Sequence, residues 1–303
     1  MKVLVAGGTG AIGAPLVRTL VARNHRVFAT TRSSDKQSMI RGLGATPVVV
    51  DALDAAALEK AVREAAPTHV VHELTALPKA GPRSARELEP TNRLRDEGTR
   101  NLLHAAIAAG AQRIVVGSFA MLGAAIDQTS NADLDSAAAA VRSMESQVLD
   151  AARRGEIEAI VLRYGLFYGP GNPATDELIA RARKRRLPRV RNDGGQLPYI
   201  HVDDAAAATV AALDRGKSGG VYNIVDDRPT SFSEMVTELA KVAGAPPPWT
   251  VPAWLLRIAA PYMARLFTLQ VRLSNARARE DLGWTPTFPS YREGLRHTIT
   301  QAA

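Results

Sequence analysis

The residues best placed to do chemistry lie at the start of the chain. Val3-Leu4-Val5-Ala6-Gly7-Gly8-Thr9-Gly10-Ala11-Ile12-Gly13 sets glycines at 7, 10 and 13 between an apolar run and an amphipathic segment reaching about Arg23. A strand that gives way to a helix through such a turn offers backbone N–H groups and the positive end of a helix dipole to a diphosphate. Gly7 permits the tight turn, Gly10 the approach of amides to phosphate, and Gly13 close packing of helix on strand. The ligand this implies is a dinucleotide, with Gly7, Thr9, Gly10, Ala11, Ile12 and Gly13 as its contacts.

The second strand selects among dinucleotides. Where an acidic residue would meet the ribose hydroxyls of NAD, the sequence reads Thr30-Thr31-Arg32-Ser33-Ser34. Arg32 is a planar cation for a ribose 2′-phosphate, and Thr31 and Ser33 supply hydroxyls, which favours NADP(H) over NAD(H). The alternative is a surface arginine after a strand.

These residues need a frame. From Lys2 to Gly165 short β-branched runs alternate with alanine-rich amphipathic segments, as in βα units around a parallel sheet. The strands expected are Lys2–Ala6, Arg26–Thr31, Thr46–Val50, His69–Glu73, Arg113–Gly117 and Ala159–Arg163. The fold class is therefore α/β, a Rossmann-type doubly wound parallel sheet over 1–165. A smaller C-terminal substrate-binding lobe follows over 166–303, with segments such as Val221–Val225 returning to the main sheet.

Composition narrows the partners. Hydrophobic residues at 46% and charged residues at 22% fit an ordinary globular chain, not a disordered or fibrous one. No uncharged apolar run approaches the length of a membrane span, and Gly7 and Gly8 interrupt the first strand too early for a signal-peptide core, so a cytoplasmic location is expected. Zero cysteines exclude disulfides and thiolate chemistry, and no metal-ligand cluster stands out. The net charge of +8 is densest at Arg181, Arg183, Lys184, Arg185 and Arg186. Without interleaved aromatics this run reads as a solvated face or anion site rather than a nucleic-acid surface. A small-molecule substrate, no nucleic acid or membrane partner, and a monomer or homodimer are expected.

Over nearly the whole chain the sequence resembles the extended short-chain dehydrogenase/reductase superfamily, in particular its NAD(P)-dependent epimerase/dehydratase branch. Asp51-Ala52 resembles the adenine contact, and His72 to Ala76, with Leu74, Thr75 and Ala76, the segment that lines the cofactor. Asn92 and Thr99-Arg100-Asn101-Leu102-Leu103 resemble the next helix. Ser118 ends the fifth strand, and Arg163-Tyr164-Gly165 with Tyr168-Gly169-Pro170 resembles the signature after the sixth. His201-Val202-Asp203-Asp204 completes the set, with Asp203 equally readable as a helix N-cap. The resemblance implies an NAD(P)-dependent oxidoreductase or epimerase acting on a small molecule such as a specialised metabolite.

One part of the pattern is missing. The superfamily's chemistry uses a Tyr-x-x-x-Lys pair, yet no tyrosine of this chain has a lysine four places on. The expected helix reads Ser136-Ala137-Ala138-Ala139-Ala140-Val141-Arg142-Ser143-Met144-Glu145-Ser146-Gln147-Val148. Catalytic candidates are then Ser118, at the carboxyl end of a central strand, with Tyr164 or with Glu145 acting as an acid or base. Ser118 reads equally as a cap and Tyr164 as core. Asn92, Phe119, Arg163 and Tyr168 are candidate substrate contacts, and His72 positions a ligand or simply ends its strand. Met235, Met263, Trp249, Trp254 and Phe267 form either an apolar wall or core, and the Trp254–Phe267 stretch, broken by Pro261, a lid or dimer contact. Alternative readings are a non-redox isomerase, cyclase or dehydratase, or a dinucleotide sensor without turnover.

Overall fold

The computed structural model describes residues 1–78, 81–82, 84–128, 135–191, 195–259 and 270–302. Strands β1 (Lys2–Ala6), β2 (Arg26–Thr31), β3 (Thr46–Val49), β4 (His69–His72), β5 (Arg113–Phe119) and β6 (Glu158–Tyr164) alternate with helices α1 (Gly13–Ala22), α2 (Gln37–Gly42), α3 (Ala55–Ala65), α4 (Glu89–Arg93), α5 (Thr99–Ala108), α6 (Ala120–Gln128) and α7 (Ser136–Arg153). Beyond them come β7 (Leu166–Tyr168), α8 (Pro173–Arg183), β8 (Arg189–Arg191), β9 (Tyr199–His201), α9 (Val202–Arg215), β10 (Val221–Ile224), α10 (Phe232–Val242), β11 (Thr250–Pro252), α11 (Ala253–Ala259), α12 (Ala276–Leu282) and α13 (Tyr291–Ala302).

Seven strands form one parallel sheet in the order β10-β6-β5-β4-β1-β2-β3. The near-continuous apolar strands are explained by helices on both faces. Val3, Val5, Val71, Val115 and Leu162 pack toward Leu16 and Leu20 of α1 and Ala208 and Val210 of α9. Leu4, Val70, Ile114, Val116 and Val161 pack on the other face toward Leu58, Val62, Leu102 and Val148 of α3, α5 and α7. The chain changes direction about β1, with β2 and β3 on one side and β4, β5 and β6 on the other, so the crevice opens at the carboxyl ends where this switch occurs.

Helix starts follow local chemistry. Asp54, Asp135 and Asn172 accept N–H bonds at the starts of α3, α7 and α8, and Ser231 with Glu234 closes a capping box on α10. No side chain caps α1, whose first turn faces the crevice. At α9 the cap is His201, whose Nδ1 accepts from the Asp203 N–H at 3.2 Å, and not Asp203. Burial, with His297 nearby, pushes the His201 pKa down to about 3, in keeping with a neutral acceptor.

The chain beyond residue 165 both extends the sheet, through β10 beside β6, and builds a third apolar cluster from Ile179, Leu197, Tyr199, Met235, Leu239, Tyr291 and Leu295. Met235 is thus core, whereas Trp249 and Trp254 are 54% and 60% exposed and form no wall; Pro261, Met263 and Phe267 lie outside the described residues. The run Arg181–Arg186 ends α8 and continues past it, with Arg181 paired to Glu177. Among the described residues no helix is long and apolar enough to cross a membrane.

Buried Asp204 ties the C-terminal segment to α9: its Oδ1 accepts from the Thr287 N–H at 2.7 Å and its Oδ2 from the Phe288 N–H at 2.9 Å. Replacing it by alanine strands two amides, and charged acceptors of this kind contribute on the order of 2 kcal/mol or more. Asp204→Ala is expected to lower the free energy of unfolding by that amount, read as a lower urea midpoint at unchanged slope in equilibrium denaturation.

Candidate active site

Between β1 and α1 backbone meets backbone. Gly7 has φ +94°, and a Cβ there would stand 2.5 Å from the Glu73 carbonyl oxygen. A Cβ on Gly13 would overlap the Gly7 carbonyl oxygen and come within 2.9 Å of Gly8. Gly7 N–H donates to Thr30 Oγ1 at 3.2 Å, and Gly10 N–H to the Gly7 carbonyl at 2.9 Å, fixing the loop to β2. The uncapped first turn of α1 beside this loop has the donors and dipole a diphosphate requires, so the residues present fit a dinucleotide.

On one side of the turn lie the ends of β2 and β3, where the sequence predicts the adenine contacts. Arg32 is exposed and lines a groove of about 450 Å³ with Val49, Val50, Asp51, Lys60 and Glu64. Thr31, by contrast, is buried, and its hydroxyl accepts from the Ser33 N–H at 3.2 Å, holding its own loop. Asp51 Oδ1 accepts from the Leu53 N–H, and the Ala52 carbonyl from Asn101. Two cations here escaped the sequence reading: Lys60 in the groove, and Lys36, whose Nζ stands 3.5 Å from Thr9 Oγ1 over the glycine turn. A lysine one helical turn along α3 carries no local signal.

The other side is formed by the ends of β4, β5 and β6. His72 is buried and structural, with Nδ1 accepting from the Leu74 N–H and Nε2 2.9 Å from Thr99 Oγ1; burial pushes its pKa down to about 4. The Ala76 N–H donates to Thr91 Oγ1, so Leu74, Thr75 and Ala76 run along the crevice between two anchors. Asn92 Oδ1 accepts from Arg95, three residues away on the same helical segment.

Ser118, Glu145 and Arg163 meet on one face of the sheet. The parallel register sets Ser118 beside Arg163 and Phe119 beside Tyr164. Arg163 reaches Glu145 with Nε at 2.9 Å and a terminal nitrogen at 2.7 Å, and Ser118 Oγ donates to Glu145 Oε1 at 2.6 Å. All three are buried. In this fork-on-carboxylate pair both Glu145 oxygens are taken, so Glu145 holds Ser118 and Arg163 in place and Arg163 is anchored here. The arginine shaft also fills the space above Gly123 of α6, where a Cβ would stand 2.5 Å from it. No tyrosine or lysine stands among the buried residues of α7, which are Ala137, Ala138, Ala140, Val141, Met144, Glu145, Val148 and Ala151.

Tyr164 lies on the opposite face. Its hydroxyl is 3.0 Å from Glu73 Oε1 and 2.7 Å from Thr209 Oγ1. Glu73, which the strand pattern marks only as the last residue of a strand, is half-buried, its carboxyl lying against Tyr164 and Gly117. Burial pushes its pKa up to about 8, against a smaller lowering by the Tyr164 hydroxyl, and burial together with Glu73 raises that of Tyr164. Tyr168, a candidate substrate contact, is instead buried in the lobe: its hydroxyl donates to Asp226 Oδ2 at 2.9 Å and its ring packs edge-on to Tyr199 and His201.

A parallel seven-stranded sheet with this turn at its switch point defines a dinucleotide-dependent enzyme. Residues 3–225 match the model of the NAD dependent epimerase/dehydratase family, and the chain belongs to it. It is 39% identical over 307 residues to a 3-diazoavenalumate denitrifying reductase of Streptomyces sp, covering 97% of this chain and 99% of that one. It is 31% identical over 247 residues to a ceramide reductase of Caulobacter vibrioides, covering 81% of this chain and 71% of that protein. A UDP-glucose 4-epimerase of Thermus thermophilus, solved in complex with NAD, superposes with a TM-score of 0.78 at 25% identity, covering 99% and 98% of the two chains. The family and these relatives make the chain an NAD(P)-dependent oxidoreductase or epimerase.

A carboxyl whose pKa is higher in the folded chain than in the unfolded one binds its proton more tightly when folded. Glu73 therefore withdraws stability as pH rises from about 4.5 to about 8. Glu73→Gln is expected to melt close to the parent at pH 5 and above it at pH 9, checked by thermal denaturation of both proteins across that range.

Proposed function

We propose that this chain is an NADP(H)-dependent reductase that passes hydride to a small, electron-poor organic acceptor and delivers no proton from a tyrosine-lysine pair. The observation that carries this reading is the commitment of the Ser118 proton. Ser118 Oγ donates to Glu145, whose carboxylate also pairs with Arg163, so the serine offers a ligand its lone pairs and not its hydrogen. A substrate carbonyl needs a donor as charge grows on its oxygen, and no tyrosine or lysine stands among the buried residues of α7 to be one.

An acceptor that needs no such donor fits the site better. The 39%-identical relative is named for a diazo substrate and for loss of its nitrogen. When bound, the reduced dinucleotide supplies hydride; at a diazonium carbon this forms a C–H bond as the C–N bond breaks, and dinitrogen leaves with the C–N electron pair. Positive charge is consumed without proton transfer. The chain's part is to hold and align: the glycine turn fixes the diphosphate, Arg32 with Ser33 and Lys60 meets the 2′-phosphate, and Ser118 and Phe119 border the reacting atoms.

Mixing the purified protein with NADPH and either arenediazonium salts or ketones, against protein-free blanks, tests this. Oxidation of NADPH equimolar with dinitrogen release is expected for the first set and little turnover for the second. Turnover of ketones alone, or binding with no turnover of either set, would overturn the assignment. Arg32→Asp is expected to weaken NADPH binding about tenfold, or about 1.4 kcal/mol, and to leave NADH binding nearly unchanged; equal losses on titration with both cofactors would remove Arg32 from the 2′-phosphate site.

A further inference from the structure

Glu73 stands where the phosphate turn, β5 and β6 converge, its backbone against Gly7 and its carboxyl against Gly117 and Tyr164. The Glu73 backbone continues the β4 ladder by donating to the Ala6 carbonyl at 2.8 Å, which turns its side chain to the sheet face opposite His72. On that face the carboxyl lies over Gly117, where a Cβ would come within 2.7 Å of Glu73 Cδ. Glycine at 117 is thus what gives the acid its room. The groups around the carboxyl are Gly117 from β5, the Tyr164 hydroxyl from β6 and, beyond it, the Thr209 hydroxyl from α9, while Gly7 of the turn lies against the Glu73 backbone carbonyl. Neither a cation nor a second carboxylate figures among the causes of its perturbation.

The hydroxyl chain accommodates both ionisation states. Thr209 Oγ1 donates to the Ala205 carbonyl at 2.8 Å, which leaves it to accept from Tyr164. Tyr164, with one proton, then accepts from a neutral Glu73; when the carboxyl is ionised, Tyr164 donates to it instead and Thr209 turns its own proton from the Ala205 carbonyl to Tyr164. An acid held this way changes charge without losing its partner.

In a sheet of this topology the adenine half of a dinucleotide lies toward β2 and β3 and the nicotinamide half toward β4, β5 and β6. Glu73 follows β4, Gly117 lies two residues before the end of β5 and Tyr164 ends β6. The oxidised ring carries a positive charge and the reduced ring none, so an acid beside it interacts differently with the two. We propose that the Glu73 carboxyl faces the nicotinamide ring and sets the preference between oxidised and reduced dinucleotide, its ionised form holding the cationic ring more tightly. This rests on the dinucleotide reading of the crevice. By linkage, whatever factor ionisation adds to oxidised-cofactor affinity, binding of that cofactor adds to acid dissociation, so a proton leaves Glu73 when the oxidised form binds below the group's midpoint.

The test is the ratio of the NADPH to the NADP⁺ dissociation constant, measured by calorimetry on the whole protein between about pH 6 and pH 10. Taking the ratio cancels titrations common to both cofactors, including the 2′-phosphate. It is expected to rise about tenfold across this range, within the usual span of site coupling, and to be flat in Glu73→Gln. Tyr164→Phe, which removes the hydroxyl that lowers the acid's pKa, is expected to move the midpoint to higher pH. A flat ratio in the parent, or an undiminished rise in Glu73→Gln, overturns the role of Glu73 while the dinucleotide reading stands. Failure to bind either cofactor overturns both.

Discussion

Backbone approaches backbone at the β1–α1 turn more closely than any side chain permits, and much of the site follows from that. Gly13 lies against the carbonyl of Gly7, and Gly7 against the carbonyl of Glu73, so β1, α1 and the end of β4 are drawn to one point. The same convergence leaves the first amides of α1 uncapped, while other long helices spend Asp54, Asp135 and Asn172 on theirs. A helix start without an internal acceptor at a topological switch point is suited to an external anion.

The two acids of the crevice show how environment divides roles between like groups. Glu145 meets a guanidinium in bidentate geometry and a serine hydroxyl, and so organises β5, β6 and α7. Glu73, on the other face of the same strands, meets one phenol and no cation, and burial favours its neutral form. Neither assignment follows from residue type. The difference is the partner each is given by a strand that alternates its side chains between faces.

This division also marks the limit of what was legible in the sequence. The glycine turn and the six strands of the first half were readable because their signals are local: spacing over a few residues and apolar runs of strand length. Glu145 was visible as a polar residue at the right level of its helix, but the arginine that occupies it lies 18 residues on, across a strand. The phenol of Tyr164 is 91 residues from Glu73, and a lone glutamate at a strand end has no local signature. Tyr168 sat in a recognisable run yet points into the lobe, because Asp226, 58 residues later, takes its hydroxyl. Long-range pairing placed these groups, and periodicity does not report it.

The β5–β6 register sets Ser118 beside Arg163 and Phe119 beside Tyr164, one neighbouring pair toward each helical layer. The ion pair and the acid–phenol contact are therefore locked in frame. Losing one residue within β6 would turn the tyrosine toward α7 and the arginine toward α9, exchanging a phenol for a guanidinium at both places in a single step. Such a strand tolerates changes of letter far better than changes of length, and the two faces of this crevice can only be inherited together.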